Sequence, residues 1–169
     1  MDNDIEKKYE ALFKNMLNGF SLHKIITNEK GDPINYEFVE VNKAFEEMTG
    51  LKRDNIIGKK VTEVIPGTEK DPANWIKRYG AVALGGKEER FEDFSSGLNK
   101  WFSICAYSPI PGYFATIFED VTERKNAEIS LKEKIEELEK MNKIMMEREL
   151  RMIELKKEIT DLKEKENDN

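Results

Sequence analysis

The sequence holds one cysteine, Cys105, and one histidine, His23. A lone thiol excludes an internal disulfide framework, and the two residues together are too few for a zinc site of the usual ligand types. Long apolar runs are missing: no stretch approaches the roughly 18 residues of a membrane span. The acidic start Met1-Asp-Asn-Asp lacks the basic, then apolar plan of a signal peptide. Basic excess is missing as well. With 28 Lys and Arg against 34 Asp and Glu, the net charge is -6, and no patch offers the phosphate neutralisation that a general nucleic-acid binder needs. The expectation is a cytoplasmic protein with no membrane segment in this chain, no nucleic-acid partner and no metal.

The patterns that are present divide the 169 residues into an N-terminal helix (1–17), a compact domain (18–121) and a C-terminal helix (122–169). Ile5, Tyr9, Leu12, Phe13 and Met16 recur at helical spacing, and Asn18-Gly19 stops the pattern. An amphipathic helix over 4–17 follows, whose apolar stripe needs a cover, from its own domain or from another copy. Residues 20–27 and 34–41 read as strands around the turn Asn28-Glu-Lys-Gly-Asp-Pro33. Asn42 can cap a helix over 43–49 that Gly50 ends. Short helical pieces are expected at 52–57 and 61–65, then a longer helix over 72–84 on which Trp75, Tyr79 and Val82 share a face. Strands at 87–94, 100–107 and 113–119 complete the order. This is an α+β pattern, a five-stranded antiparallel sheet with short helices on one face.

Residues 113–125 join sheet to helix. Phe114, Thr116 and Phe118 fall on one face of a period-2 segment, with Ala115 and Ile117 on the other. Asp120 stands three residues before Glu123, the spacing of a capping box, and Thr122 is a second candidate cap. A helix is expected to start at once.

Four motifs occur in order: Val41-Asn42 before Ala44-Phe45, Thr49-Gly50-Leu51, Ile57-Gly58-Lys59, and Phe118-Glu-Asp-Val-Thr-Glu-Arg-Lys125. On these the chain resembles a PAS domain, the small sensor module of bacterial signalling proteins, over about residues 18–125. The last motif resembles the Asp-Ile-Thr ending after which PAS domains enter their output helix, with Val121 in place of isoleucine. The resemblance implies a signal-transduction role, as in two-component systems, with Asp120, Val121, Thr122 and Glu123 as the hinge. It also implies a ligand pocket between helices and sheet. Strand parity and helix face give its candidate lining as Phe20, Leu22, Phe45, Ile57, Trp75, Tyr79, Phe91, Trp101, Ser103 and Thr116, although the same aromatics also suit plain core. A period-2 error would substitute Phe102 and Ile104 for Trp101 and Ser103. Light-sensing flavin relatives carry their cysteine in an Asn-Cys motif on the early helices, whereas Cys105 falls in the fourth expected strand. Haem-binding relatives commonly place a histidine on the helix corresponding to 72–84, which has none. Covalent flavin and haem are therefore not expected, which leaves non-covalent flavin, another small molecule or no ligand.

From Thr122 onward there is no proline or glycine, and a retained apolar seam argues for one long helix. Leu131, Ile135, Leu138, Asn142 and Met145 alternate at four and three residues, the d and a positions of a heptad. Met152, Leu155, Ile159 and Leu162 continue in a frame shifted by three residues, as in a stammer. The dimer seam is thus Leu131, Ile135, Leu138, Asn142, Met145 and Met152, and Asn142 at an a position favours parallel pairing.

Enzyme chemistry finds little here. The C-terminal helix has no histidine to accept phosphate, the chain has no room for an ATP-binding domain, and His23 lies in a strand with no partnered nucleophile nearby. We therefore expect a non-enzymatic sensor and homodimerisation module that couples a small-molecule or partner signal through a parallel coiled coil to an output kinase, cyclase or regulator. The alternative is a ligand-independent dimerisation scaffold.

Overall fold

The computed structural model describes residues 2–167, with side chains described for 4–160. Strands β1 (Gly19–Thr27) and β2 (Pro33–Val41) form the first hairpin. Its turn is closed by Asn28, whose Oδ1 accepts from the amides of Lys30 and Asp32 at 2.9 Å each. Asn42 then ends β2 and starts α2 (Lys43–Thr49): its Oδ1 accepts from Phe45 N at 2.8 Å and from Phe20 N at 2.9 Å, and its Nδ2 donates to Asn18 O at 3.0 Å. One buried side chain thus caps a helix and ties it to β1.

Helices α3 (Arg53–Ile56) and α4 (Val61–Val64) and a single 3₁₀ turn at Thr68–Lys70 lead to α5 (Trp75–Gly85). The start of α5 is later than the expected residue 72. Asp71 explains the delay, because its two carboxylate oxygens accept from Ala73 N at 2.9 Å and Ser96 N at 3.0 Å. This holds 71–74 as a turn, with Asn74 left-handed at φ 53°. Strands β3 (Glu89–Ser95), β4 (Lys100–Tyr107) and β5 (Tyr113–Asp120) follow.

The sheet order is β2-β1-β5-β4-β3 with every neighbouring pair antiparallel. One face of it, with α2 to α5, encloses the core, in which Phe38, Val61, Val82, Ala106 and Phe114 are almost fully buried. The approach of α5 to β2 is close enough that a Cβ on Gly80 would collide with Pro33. At the other side of α5, Arg78 pairs with Glu89 at 2.6 Å and Asp93 at 3.0 Å on β3, with its guanidinium 3.7 Å over the Phe91 ring. Burial lowers the tendency of Arg78 to stay charged, but the two carboxylates outweigh it and raise its pKa.

Helix α1 (Asp2–Asn15) is covered only in part. Phe13 meets Phe20 edge-on at 5.2 Å, whereas Ile5, Tyr9 and Leu12 remain exposed.

By contacts, the chain divides into two units, Met1–Glu123 and Arg124–Asn169. The C-terminal helix α6 runs unbroken over Thr122–Asn167, 46 residues, or about 70 Å at the usual rise per residue. On α6, Leu131, Ile135, Leu138, Asn142, Met145 and Met152 are all exposed in the single chain. Arg124 with Glu128 at 2.7 Å and Arg151 with Glu154 at 3.1 Å are among its ion pairs. No helix among the described residues is long and apolar enough to cross a membrane.

Candidate ligand site between sheet and helices

Strand register builds the floor of the site. Antiparallel pairing sets Ser21 opposite Thr116 and His23 opposite Phe114 between β1 and β5, and His23 opposite Phe38 between β1 and β2. Adjacent partners on one face touch. Ser21 Oγ lies 2.7 Å from Thr116 Oγ1 and 2.7 Å from His23 Nε2, and the His23 ring stacks on Phe114 at 4.6 Å. Tyr36 and Phe38 meet the same imidazole edge-on at 4.9 and 4.8 Å. The histidine is almost fully buried, and burial alone pulls its pKa down to about 3. It is therefore a neutral imidazole at physiological pH.

Helices form the opposite wall. Trp75 and Tyr79, one turn apart on α5, both face the sheet, and Tyr79 stacks on Phe114 at 4.6 Å. Phe45 of α2 contacts Phe38 and Phe118. Burial raises the Tyr79 and Tyr36 phenols well above the ordinary range, so neither ionises. Between these walls lies a cavity of about 80 Å³, also bordered by Thr49, Leu51, Ile65, Thr68, Ser95, Leu98, Phe102 and Ile104. No Asp, Glu, Lys or Arg lines it.

Of the ten residues expected to line a pocket, the structure brings Phe45, Trp75, Tyr79 and Thr116 to this cavity. The other six lie elsewhere. Phe20 and Leu22 sit at the opposite parity of β1, where Phe20 packs on Phe13 of α1. Trp101 and Ser103 take the outward parity of β4, which turns Phe102 and Ile104 inward instead. Phe91 packs against Trp75, Tyr79 and Arg78 outside the cavity, and Ile57 packs at the edge of the core. The parity on β1 misleads because its outward residues are the more apolar ones and Phe20 is covered by α1, while Ser21 and His23 point inward. The readable signal was Ile25, which shares parity with His23 and is buried.

The hinge residues also differ in detail from a capping box. Asp120 is the last residue of β5, and α6 begins at Thr122. Asp120 Oδ1 accepts from Thr122 N at 3.0 Å, so it serves the first helical amide rather than the amide of Glu123. Its Oδ2 pairs with Lys100 Nζ at 2.7 Å, and Thr122 Oγ1 accepts from Trp101 N at 3.0 Å. Val121 is buried, and its amide donates to Trp101 O at 2.9 Å. Strand β4 therefore grips both sides of the strand-to-helix junction. Burial works to raise the Asp120 pKa, but the hydrogen bonds from Lys100 and Thr122 prevail and hold it below the usual carboxylate range.

A five-stranded antiparallel sheet in this order, with its helices on one face above a cavity, is an α+β domain built to enclose a small volume. A family model described as PAS domain matches residues 22–123, and the chain belongs to the PAS domain family. Among solved structures it is similar to a domain of the sensory box sensor histidine kinase/response regulator from Geobacter sulfurreducens, with 18% identity and TM-score 0.50 over 69% of this chain and 94% of that one. An RNA-binding light-oxygen-voltage receptor is similar at 19% identity and TM-score 0.55, over 82% of this chain and 38% of that one. The PAS domain of an HTR-like protein from Haloarcula marismortui has 16% identity and TM-score 0.49, over 70% and 98%. No curated protein matches.

Proposed function

We propose that this PAS domain is a signal-transduction sensor whose cavity receives a small molecule and whose state passes through β5 into α6. One observation carries the reading: β5 lends Thr116 and Phe118 to the cavity and, two residues beyond Phe118, places Asp120 on the first amide of α6. A ligand that shifts Thr116 must act on a strand that also holds the helix start. Membership of the PAS family supports this role. In this reading the protein is cytoplasmic, two chains pair in parallel through the α6 seam, and the output is a partner kinase, cyclase or regulator. The domain itself is not an enzyme, and incubation with labelled ATP and magnesium is expected to leave it unlabelled. Native mass spectrometry of freshly purified protein tests the sensing half: retained small-molecule mass, together with a changed output from a reporter fused after α6 when that mass is removed, supports it. A clean apo protein with constant output favours the ligand-independent scaffold.

A further inference from the structure

The lining of the cavity is buried everywhere but on one side. Thr49, Leu51, Ile65 and Leu98 are half-buried, and the remaining lining residues are buried. The cavity therefore comes nearest to solvent where the end of α2, Ile65 and the β3–β4 turn meet. A molecule that enters has its shortest way in here.

The other walls are tied down. The floor is a sheet whose strands are paired residue by residue. Helix α2 is fixed at its start by the three bonds of Asn42, and α5 by Arg78 on β3 and by the stack of Tyr79 on Phe114. Both lips of the mouth, by contrast, are short irregular chain. One runs over 65–74, through a single 3₁₀ turn and the turn held by Asp71. The other is the β3–β4 turn, residues 96–99, which begins on β3, the edge strand of the sheet. Segments of this kind open at lower cost than a strand ladder or a packed helix.

The β3–β4 turn has a fixed base and a lightly held tip. At the base Ser95 pairs with Lys100, and Lys100 Nζ donates to Met48 O of α2 and pairs with Asp120, at 2.7 Å in each case. At the tip, Ser96 N donates to Asp71 Oδ2 at 3.0 Å. Gly97 lies so close to Ile65 that a Cβ on it would collide with Ile65 Cγ2. Leu98, the next residue, borders the cavity. One hydrogen bond to a carboxylate biases such an equilibrium roughly tenfold to a hundredfold, which closes the mouth without sealing it.

We propose that residues 96–99 are a lid, hinged at the Ser95–Lys100 pair and latched by Ser96 on Asp71 and Gly97 on Ile65, through which small molecules enter and leave the cavity. The proposal rests on the sensor reading of the same cavity and adds the way in. Its geometry supplies a reversible test. A Cβ on Gly97 would stand 3.8 Å from Ile65 Cβ, the usual spacing across a disulfide. Ile65→Cys/Gly97→Cys, made in the full chain with Cys105→Ser so that no third thiol competes, is expected to close a disulfide on oxidation. Xenon, which small apolar cavities take up, is the probe, and its exchange is followed by xenon NMR. Exchange is expected in the reduced protein, should stop on oxidation and should return with dithiothreitol. With the native cysteine and lid otherwise intact, Asp71→Ala should speed exchange about tenfold or more, the loss of one hydrogen bond to a charged acceptor. Because that variant also frees the Ala73 amide, Gly97→Ala, whose Cβ props the tip off Ile65, is measured beside it and should act in the same direction. Equal exchange in the oxidised and reduced forms, no xenon uptake in the reduced form, or two cysteines that fail to join overturns the lid. Exchange unchanged in both Asp71→Ala and Gly97→Ala overturns it as well. A gated cavity in a protein that purifies without ligand and leaves a fused reporter constant upholds the lid and counts against the sensor reading. A natural ligand that comes and goes equally in the oxidised and reduced forms upholds the sensor reading and overturns the lid.

Discussion

His23 carries a pH dependence whose sign follows from burial. The unfolded chain takes a proton at a histidine near pH 6.5, whereas in the folded chain this happens only near pH 3. Between those values the unfolded state holds the extra proton, so stability falls as the pH drops, by about 1.4 kcal/mol for each unit once well below 6.5. His23→Phe should remove that slope. Urea unfolding at pH 7 and pH 4.5 checks it, since a stability difference between wild type and variant that stays constant with pH would show that His23 does not supply the effect. Asp120 acts in the same sense: its lowered pKa means stability that is present above the unfolded value and lost as the pH falls through the folded one. Asp120→Ala removes both the Thr122 amide acceptor and the Lys100 ion pair, and should cost about 0.5–2 kcal/mol. Asp120→Asn keeps the acceptor and should cost less. Equal losses in the two variants, read from urea midpoints, would mean that the ion pair alone matters.

Among the elements, α5 is the one whose placement fixes the cavity, since it brings Trp75 and Tyr79 to the wall. It is held by Arg78 on β3 and by direct contact with the β2 hairpin, where Gly80 has no room for a Cβ against Pro33. Gly80→Ala should therefore destabilise by about 1–3 kcal/mol through overpacking. That outcome opposes the roughly 1 kcal/mol by which alanine improves a helix. Gly85, on the same helix, faces open space, so Gly85→Ala should be neutral or stabilising. Thermal melts of the two variants decide the matter, and a stabilised Gly80→Ala would show that α5 can back away from the sheet.

For the whole molecule, the exposed apolar side chains of α6 and the bare part of α1 are the features that a monomer leaves unused. Leu131, Ile135, Leu138, Met145 and Met152 are each about half or more exposed in the single chain. The expected state is a parallel dimer at tens of micromolar, and Leu138→Glu should return it to monomer because it buries an unpaired charge in the seam. Asn142→Leu should raise the stability of the dimer while loosening its register, since the asparagine selects in-register parallel pairing at a cost. Sedimentation equilibrium checks both, and a wild-type monomer under those conditions would remove the seam as a dimer interface.

Periodicity and caps were enough to read the element order, the hairpin, the α2 cap at Asn42 and the long helix after Val121, because each depends on residues within a turn or two of one another. The PAS motifs were legible for the same reason. What the chain alone did not decide was which face of each strand turns inward. That choice depends on what covers the other face, and on β2 also on an extra residue, Val39, in the pairing with β1 that breaks the simple alternation. Tertiary packing turned Ser21 and His23 inward and Phe20 outward beneath Phe13, moved Trp101 and Ser103 off the cavity, and made a neutral core residue of the only histidine. The cavity is bordered by strands distant in sequence, such as β1 and β5, which long-range pairing brings together.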